Sequence, residues 1–320
     1  MPKRKIMGIS MPIVVFIGVL FIGLSVISFL AGALGRSLFT SIDFPSWLLV
    51  DQPHPELPAE ALFEIGGFTI TNTIFCAWIT ITVLGLFFWA ATRKMKIIPG
   101  RLQAAAEFII GYLYNFCTDI AGDKYGRRFF PLVATIFLFV ITNAFLSLLP
   151  GFGSIIVNNA HGESVHLLRG VNTDVNLPLA LALISFVMVE YWGIQAVSFR
   201  KYMIKFFNFS PLLKGFKILF SGKVSEGLTA LFDGAIRAFI GFIELVSEFV
   251  RVLSFTFRLF GNMTGGEILL LMMFFLAPFL LVLPFYGLEL LVGYIQALIF
   301  GGLTLVFATI AVTPHEEEEH

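Results

Sequence analysis

The chain is 320 residues long, 58% hydrophobic and only 13% charged, against roughly a quarter charged in an ordinary soluble domain, and its mean hydropathy is +0.90. That balance excludes a water-soluble globular enzyme. Lysine plus arginine equals aspartate plus glutamate at 21 each, so no bulk charge attracts nucleic acid, and two cysteines, Cys76 and Cys117, make no disulfide framework and read as packing residues.

A bilayer core about 30 Å thick needs about 20 apolar residues in a helix. Runs of that kind occur near 11–34, 68–92, 129–150, 177–199, 234–277 and 286–312. They are long, rich in Leu, Ile and Phe, and show no period-two alternation, which favours helices over a barrel. The expected fold class is therefore an all-α polytopic membrane protein with about six hydrophobic helical segments. The first run, with its basic start and the triplet Ala31-Gly32-Ala33, also fits a cleavable secretory signal; its length favours a retained helix. Segment 99–126 reads as an amphipathic helix along the inner surface.

Basic residues mark the cytoplasmic side of short loops. Seventeen of the 21 fall before the first run, between the second and third, or after the fourth, whereas loops 35–67 and 151–176 carry mostly acids with Arg36 and Arg169. Those loops are expected outside and the C-terminus in the cytoplasm. In the 151–176 loop, His161, Glu163 and His166 have a spacing open to metal, but a solvated loop is the expected reading. The tail Glu316 to Glu319 reads as a solvated acidic end.

From about Ala235 to Ala277 there is no proline, and some 40 helical residues extend about 60 Å, twice the hydrocarbon thickness. This helix must tilt, bend or break, with Gly261, Gly265 and Gly266 as bending points; Pro278 and Pro284 suit a turn, and 286–312 returns as a second long helix, closing a C-terminal hairpin. Glu244, Ser247, Arg251, Ser254, Arg258 and Asn262 follow at steps of three or four and form one stripe. On the return arm Glu289 and Gln296 share a face, and Glu267 lies nearly opposite Arg258. An Arg at the centre of a spanning helix costs about 2.5–3.5 kcal/mol on insertion scales, so the stripe marks function. For Arg251 the alternative is a structural ion pair with Glu244 or Glu248.

The run Arg258-Leu259-Phe260-Gly261-Asn262-Met263, followed by Gly266-Glu267, resembles the signature of subunit a of the F-type ATP synthases. Asn143 through Pro150 (NAFLSLLP), Thr173-Asp174-Val175-Asn176 and Gln296-Ala297 in YIQALIFGGLTL resemble three further motifs of that family, in the right order. The resemblance covers about residues 60–312 and implies a membrane domain over 67–312, with 1–66 an added N-terminal helix and outer loop and 313–320 an acidic tail. It implies a stator that forms two ion half-channels against a rotating c-ring. Arg258 matches the essential arginine, whose permanent charge attracts a deprotonated ring carboxylate and blocks direct passage between half-channels.

Glu267 and Glu289 match family positions for an outer relay, and Gln296 a position facing the arginine. Ser254 and Asn262 are candidates for lining the inner channel, with packing as an equal alternative. Glu244 is assigned to the inner vestibule, and Asp174 reads more as a structural or outer-entrance residue. The implied partners are the c-ring, the peripheral stalk subunit b and the lipid bilayer, in a bacterial plasma membrane, with no nucleic acid, cofactor or metal. No GxxxxGK[ST] occurs, so nucleotide chemistry belongs to partner subunits and the chain is not an enzyme alone. A self-sufficient secondary transporter or channel is the competing reading, although no related halves are visible; a scaffold without transport is a third.

Overall fold

The computed structural model describes residues 5–6, 9–39, 45, 52–53, 58–159, 162, 164–197, 199–206, 210–220 and 224–313. His54, His161, Glu163 and the tail at Glu316 to Glu319 lie outside them. Helices dominate: α1 (Met11–Ala31), α2 (Ala33–Leu38), α3 (Asn72–Thr92), α4 (Arg101–Ser147), α5 (Asn176–Val197), α6 (Phe199–Phe206), α7 (Ser210–Phe220), α8 (Val224–Leu276) and α9 (Leu283–Val312). Strands occur as three two-stranded antiparallel hairpins: β1 (Lys5–Ile6) with β2 (Ile9–Ser10), β3 (Ala61–Ile65) with β4 (Phe68–Thr71), and β5 (Ile156–Asn158) with β6 (Ser164–His166).

Among the described residues five helices are long and apolar enough to cross a membrane: Met11–Ala31, Asn72–Thr92, Arg101–Ser147, Asn176–Val197 and Leu280–Val312. The chain is thus an all-α polytopic integral membrane protein. The sixth expected run lies within α8, whose polar stripe sets it apart from those five. At 53 residues and 1.5 Å each, α8 is about 80 Å long. It begins at Val224 rather than near 235, and the basic segment before it forms α6 and α7.

The chain forms two compact units. The first comprises Met1–Cys76, Ala144–Thr173 and Gly261–Ile295. In it the β3–β4 hairpin turns through Gly66 and Gly67, at φ 59° and 83°, the positive values that a two-residue hairpin loop demands of both positions. The β3–β4 and β5–β6 hairpins are stitched together by polar contacts. The Glu60 carboxylate accepts from the His166 backbone N–H at 2.9 Å and from Asn72 Nδ2 at 3.2 Å, and Asn72 Nδ2 also donates to the His166 carbonyl at 3.1 Å. Helix α1 is exposed along its apolar length but is anchored at its end, where Ser28 and Ala31 are buried. Gly32 there meets the Leu276 carbonyl so closely that a β-carbon would stand 1.9 Å from it.

The second unit comprises Ala77–Asn143, Asp174–Phe260 and Gln296–His320. Its core gathers Cys117, Phe129, Val133, Val189, Trp192, Leu305, Ala308 and Val312 from α4, α5 and α9, with the Phe129 and Trp192 rings 4.4 Å apart. Two buried polar pairs cross it, Asn143 Nδ2 to Thr80 Oγ1 at 3.1 Å and Ser185 Oγ to Thr304 Oγ1 at 2.8 Å, as burial of such groups requires. Helix α4 is two arms joined at Gly122, which adopts φ 72°, ψ 165°. The chain folds back on itself there: the Tyr114 and Phe130 rings lie 5.6 Å apart and Gly126 abuts the Cys117 carbonyl. The 99–126 segment is accordingly one arm of a helical hairpin, with Leu113 and Cys117 buried.

Helices α7 and α8 make a second tight hairpin. Gly215 faces the backbone of Leu231, Gly227 that of Leu219, and Gly234 that of Leu212, each with less than 3 Å to spare for a β-carbon. Close approach of this kind is a use of glycine that no other residue supplies.

The α4 hairpin gives a direct test of backbone control. Gly122→Ala forces a non-glycine residue into a conformation costing about 1–3 kcal/mol, and Gly126→Val pushes a side chain into the Cys117 carbonyl. Both should lower the unfolding temperature of the detergent-solubilised protein, whereas Gly111→Ala, in the same helix with open space around it, should leave it unchanged or raise it.

Candidate functional site

Helix α8 has one dry side and one open side. In the second unit Val252, Phe255, Thr256 and Leu259 are buried, and the Phe255 ring packs 5.1 Å from Phe300 and 5.9 Å from Phe307 on α9. The opposite side carries Ser247, Ser254, Phe257 and Arg258, all exposed. Arg258 has no hydrogen bond or ion pair among the described residues. Gln296, expected to hold the guanidinium, is 8% exposed on α9, and no hydrogen bond joins the two.

Arg251 behaves differently from its sequence neighbour on the stripe. It pairs with Glu248, one turn back, and its guanidinium lies 3.9 Å from the centre of the Phe307 ring, a cation–π contact. It lines a narrow crevice with Ala182, Ser185, Phe186, Val189, Phe255 and Phe307. The ion-pair alternative therefore describes Arg251, and the stripe is interrupted there. Glu244 is half-buried.

Two residues near this pair carry no signal in sequence. Tyr202 on α6 is buried and donates its hydroxyl to Glu190 on α5; burial first, then that bond and the charges of Glu190 and Glu248, push its ionisation far above the ordinary tyrosine range. Gly193 makes room for the Tyr202 ring. A Glu one turn from a Gly inside an apolar run and a Tyr on a short basic helix meet only once the chain folds.

In the first unit Gly261, Asn262 and Gly265 of α8 are exposed, with open space at both glycines. Glu289 is 4% exposed on α9 and its carboxylate lies on the bare backbone of Gly266, where a β-carbon would come within 2.0 Å of both oxygens. Glu267, the next residue, reaches Arg169 Nε at 3.7 Å. The fold thus brings Glu267 and Glu289 to the same short stretch of α8, and adds Arg169, which sequence reasoning had left in a loop. Asp174 belongs to the second unit and begins α5: its Oδ1 accepts from the Asn176 backbone N–H at 3.1 Å and from Asn176 Nδ2 at 3.0 Å. His166 is engaged with the Gly153 carbonyl through Nδ1 at 2.8 Å, and no group of metal-binding residues occurs among the described residues.

Residues 74–309 match the family model for the ATP synthase A chain. The chain is 33% identical over 232 residues to ATP synthase subunit a 3 of Pelobacter propionicus, covering 72% of this chain and 82% of that one. It is 33% identical over 244 residues to ATP synthase subunit a of Geotalea uraniireducens, covering 76% and 87%. It is 28% identical over 254 residues to ATP synthase subunit a of Moorella thermoacetica, covering 79% and 96%. With that match spanning most of its length, and in keeping with its apolar helices and the open arginine on α8, this chain belongs to the ATP synthase A chain family.

Proposed function

We propose that this chain is the ion-translocating stator subunit of a rotary ATP synthase, forming two half-channels against a ring of carboxylate-bearing subunits and coupling ion flow to ATP synthesis. The observation that carries this reading is Arg258: a permanent cation on the open side of α8, beside Ser254 and Phe257, exposed and without an ion pair among the described residues. A guanidinium in such surroundings is costly unless a partner supplies an anion. A ring carboxylate does so, and the same charge repels cations that would otherwise pass straight between the half-channels.

In this reading an ion enters from outside by way of Glu289 and Glu267, each carboxylate taking a proton on one oxygen and releasing it from the other. The proton passes to a ring carboxylate, which becomes neutral and rotates through lipid. It leaves through the inner half-channel, lined by Ser254, Asn262 and Glu244, and the restored anion is drawn to Arg258. In this reading Gln296 takes the position facing the arginine, and Asp174 acts structurally at the start of α5. The sequence carries no GxxxxGK[ST] motif, and this reading assigns ATP chemistry to partner subunits and anchoring of the stator to the stalk subunit b. Loop 35–67 faces outward and the C-terminus the cytoplasm of a bacterial plasma membrane.

Membranes carrying Arg258→Ala should retain an assembled complex but lose ATP-driven proton pumping and coupled synthesis; continued synthesis overturns the reading. Arg258→Lys should also fail, since a lysine can shed its proton on burial and lacks the planar fork. The purified chain in liposomes without ring subunits should conduct no ions, and conduction would favour the self-sufficient transporter instead.

Gly266 supplies a third test. Gly266→Ala places a methyl group where the Glu289 carboxylate sits, so pumping should fall sharply. Restoring room with Gly266→Ala plus Glu289→Asp, which shortens the acid by one methylene, should recover part of it. Measured pumping that is unaffected by Gly266→Ala would show that Glu289 lies elsewhere in the working complex.

A further inference from the structure

We propose that Arg169 is a positioning residue for Glu267: a fixed counter-charge, held by the segments around Pro58 and Cys76, that anchors and aims the Glu267 carboxylate on α8. The proposal rests on the reading of Glu267 as a relay only for its consequence in ion transport; the charge pairing itself stands apart from that reading.

Arg169 lies between β6 and the short helical turn Val171–Thr173, in a segment where the sequence shows no helical pattern. Its side chain is nevertheless only 10% exposed. Three sequence-distant segments fix it. Its Nη1 donates to the Pro58 carbonyl at 2.8 Å, its backbone N–H donates to Cys76 Sγ at 3.2 Å, and its Nε faces Glu267 Oε2 at 3.7 Å. Neither that Nε nor that Oε2 has a hydrogen bond among the described residues, although both atoms are shielded from solvent. Each is therefore the other's electrostatic complement, with Arg169 nearly buried and Glu267 partly open to solvent.

The planar fork matters here. One edge of the guanidinium is committed to Pro58, which orients the Nε edge toward α8, and a lysine offers one point charge in place of two directed edges. The surrounding ionisable groups are few. Glu289 approaches from α9 onto Gly266, adjacent to Glu267, and Glu60 is already occupied by Asn72 and His166. Arg169 is the cation paired with Glu267 there.

The test uses whole complexes in membranes and two readouts. Arg169→Gln should lower ATP-driven pumping by about tenfold, the scale of one broken charge coupling, at an unchanged amount of subunit. The second readout is electrostatic. In a Glu267→Cys background the thiol is labelled with anionic ethylsulfonate and cationic trimethylammonium methanethiosulfonates. Cys76 and Cys117 are buried and stay unlabelled. Arg169→Gln should lower the anionic-to-cationic rate ratio by about tenfold, as expected when a cation beside a thiolate is removed.

An unchanged ratio overturns the proposal even if pumping falls, because Arg169 would then merely tie the loops. If Arg169→Gln reduces the amount of subunit, Arg169→Lys carries the test. It should preserve the labelling ratio within about twofold, and a ratio altered as far by Lys as by Gln overturns the pairing. Should the ratio respond while Glu267→Gln leaves pumping intact, the pairing holds and the relay role of Glu267 fails instead.

Discussion

Phe255 packs against Phe300 and Phe307, and that aromatic seam decides which side of α8 is buried against α9. A helix repeats every 3.6 residues, so fixing Phe255 and Leu259 inward leaves Ser254 and Arg258 outward with no further choice. Two arginines seven residues apart lie on nearly one face of the helix yet meet different neighbours. Arg251 is close enough to the seam for its guanidinium to cover Phe307 and reach Glu248, while Arg258 points away from it.

Glycines perform the complementary task wherever backbones or carboxylates must come close. Gly266 accepts the Glu289 carboxylate, Gly126 lets the arms of α4 close, and Gly215, Gly227 and Gly234 join α7 to α8. Within lipid the hydrophobic effect gives helices little reason to associate, and small residues allow the van der Waals contact that replaces it. At Gly266 the function is chemical as well, since a carboxylate buried on α9 needs polar neighbours, and only a residue without a side chain opens its backbone to one.

The outer loops read in sequence as acidic connectors, yet they carry a polar network. Glu60, Asn72 and His166 come from positions up to about a hundred residues apart and share hydrogen bonds, and Arg169 is bonded to Pro58 and Cys76. Each hydrogen bond of this type contributes about 0.5–1.5 kcal/mol net, so several together give a defined shape to segments that would otherwise gain little from burial. Arg169 is tied into these segments and faces Glu267 on α8 at 3.7 Å.

Composition, run length and helical spacing determined by themselves that the chain is a helical membrane protein, that α8 bears a polar stripe and that Arg258, Glu267 and Glu289 stand out, because each of those properties is periodic or additive along the chain. The motif order pointed to the family for the same reason. The capture of Arg251 by Glu248 and Phe307, the Tyr202–Glu190 contact, the fold-back at Gly122 and the meeting of Arg169 with Glu267 were decided only by tertiary structure. They join residues far apart in sequence, or turn on which of several allowed partners a side chain meets, and no local pattern encodes a distance across a packed core.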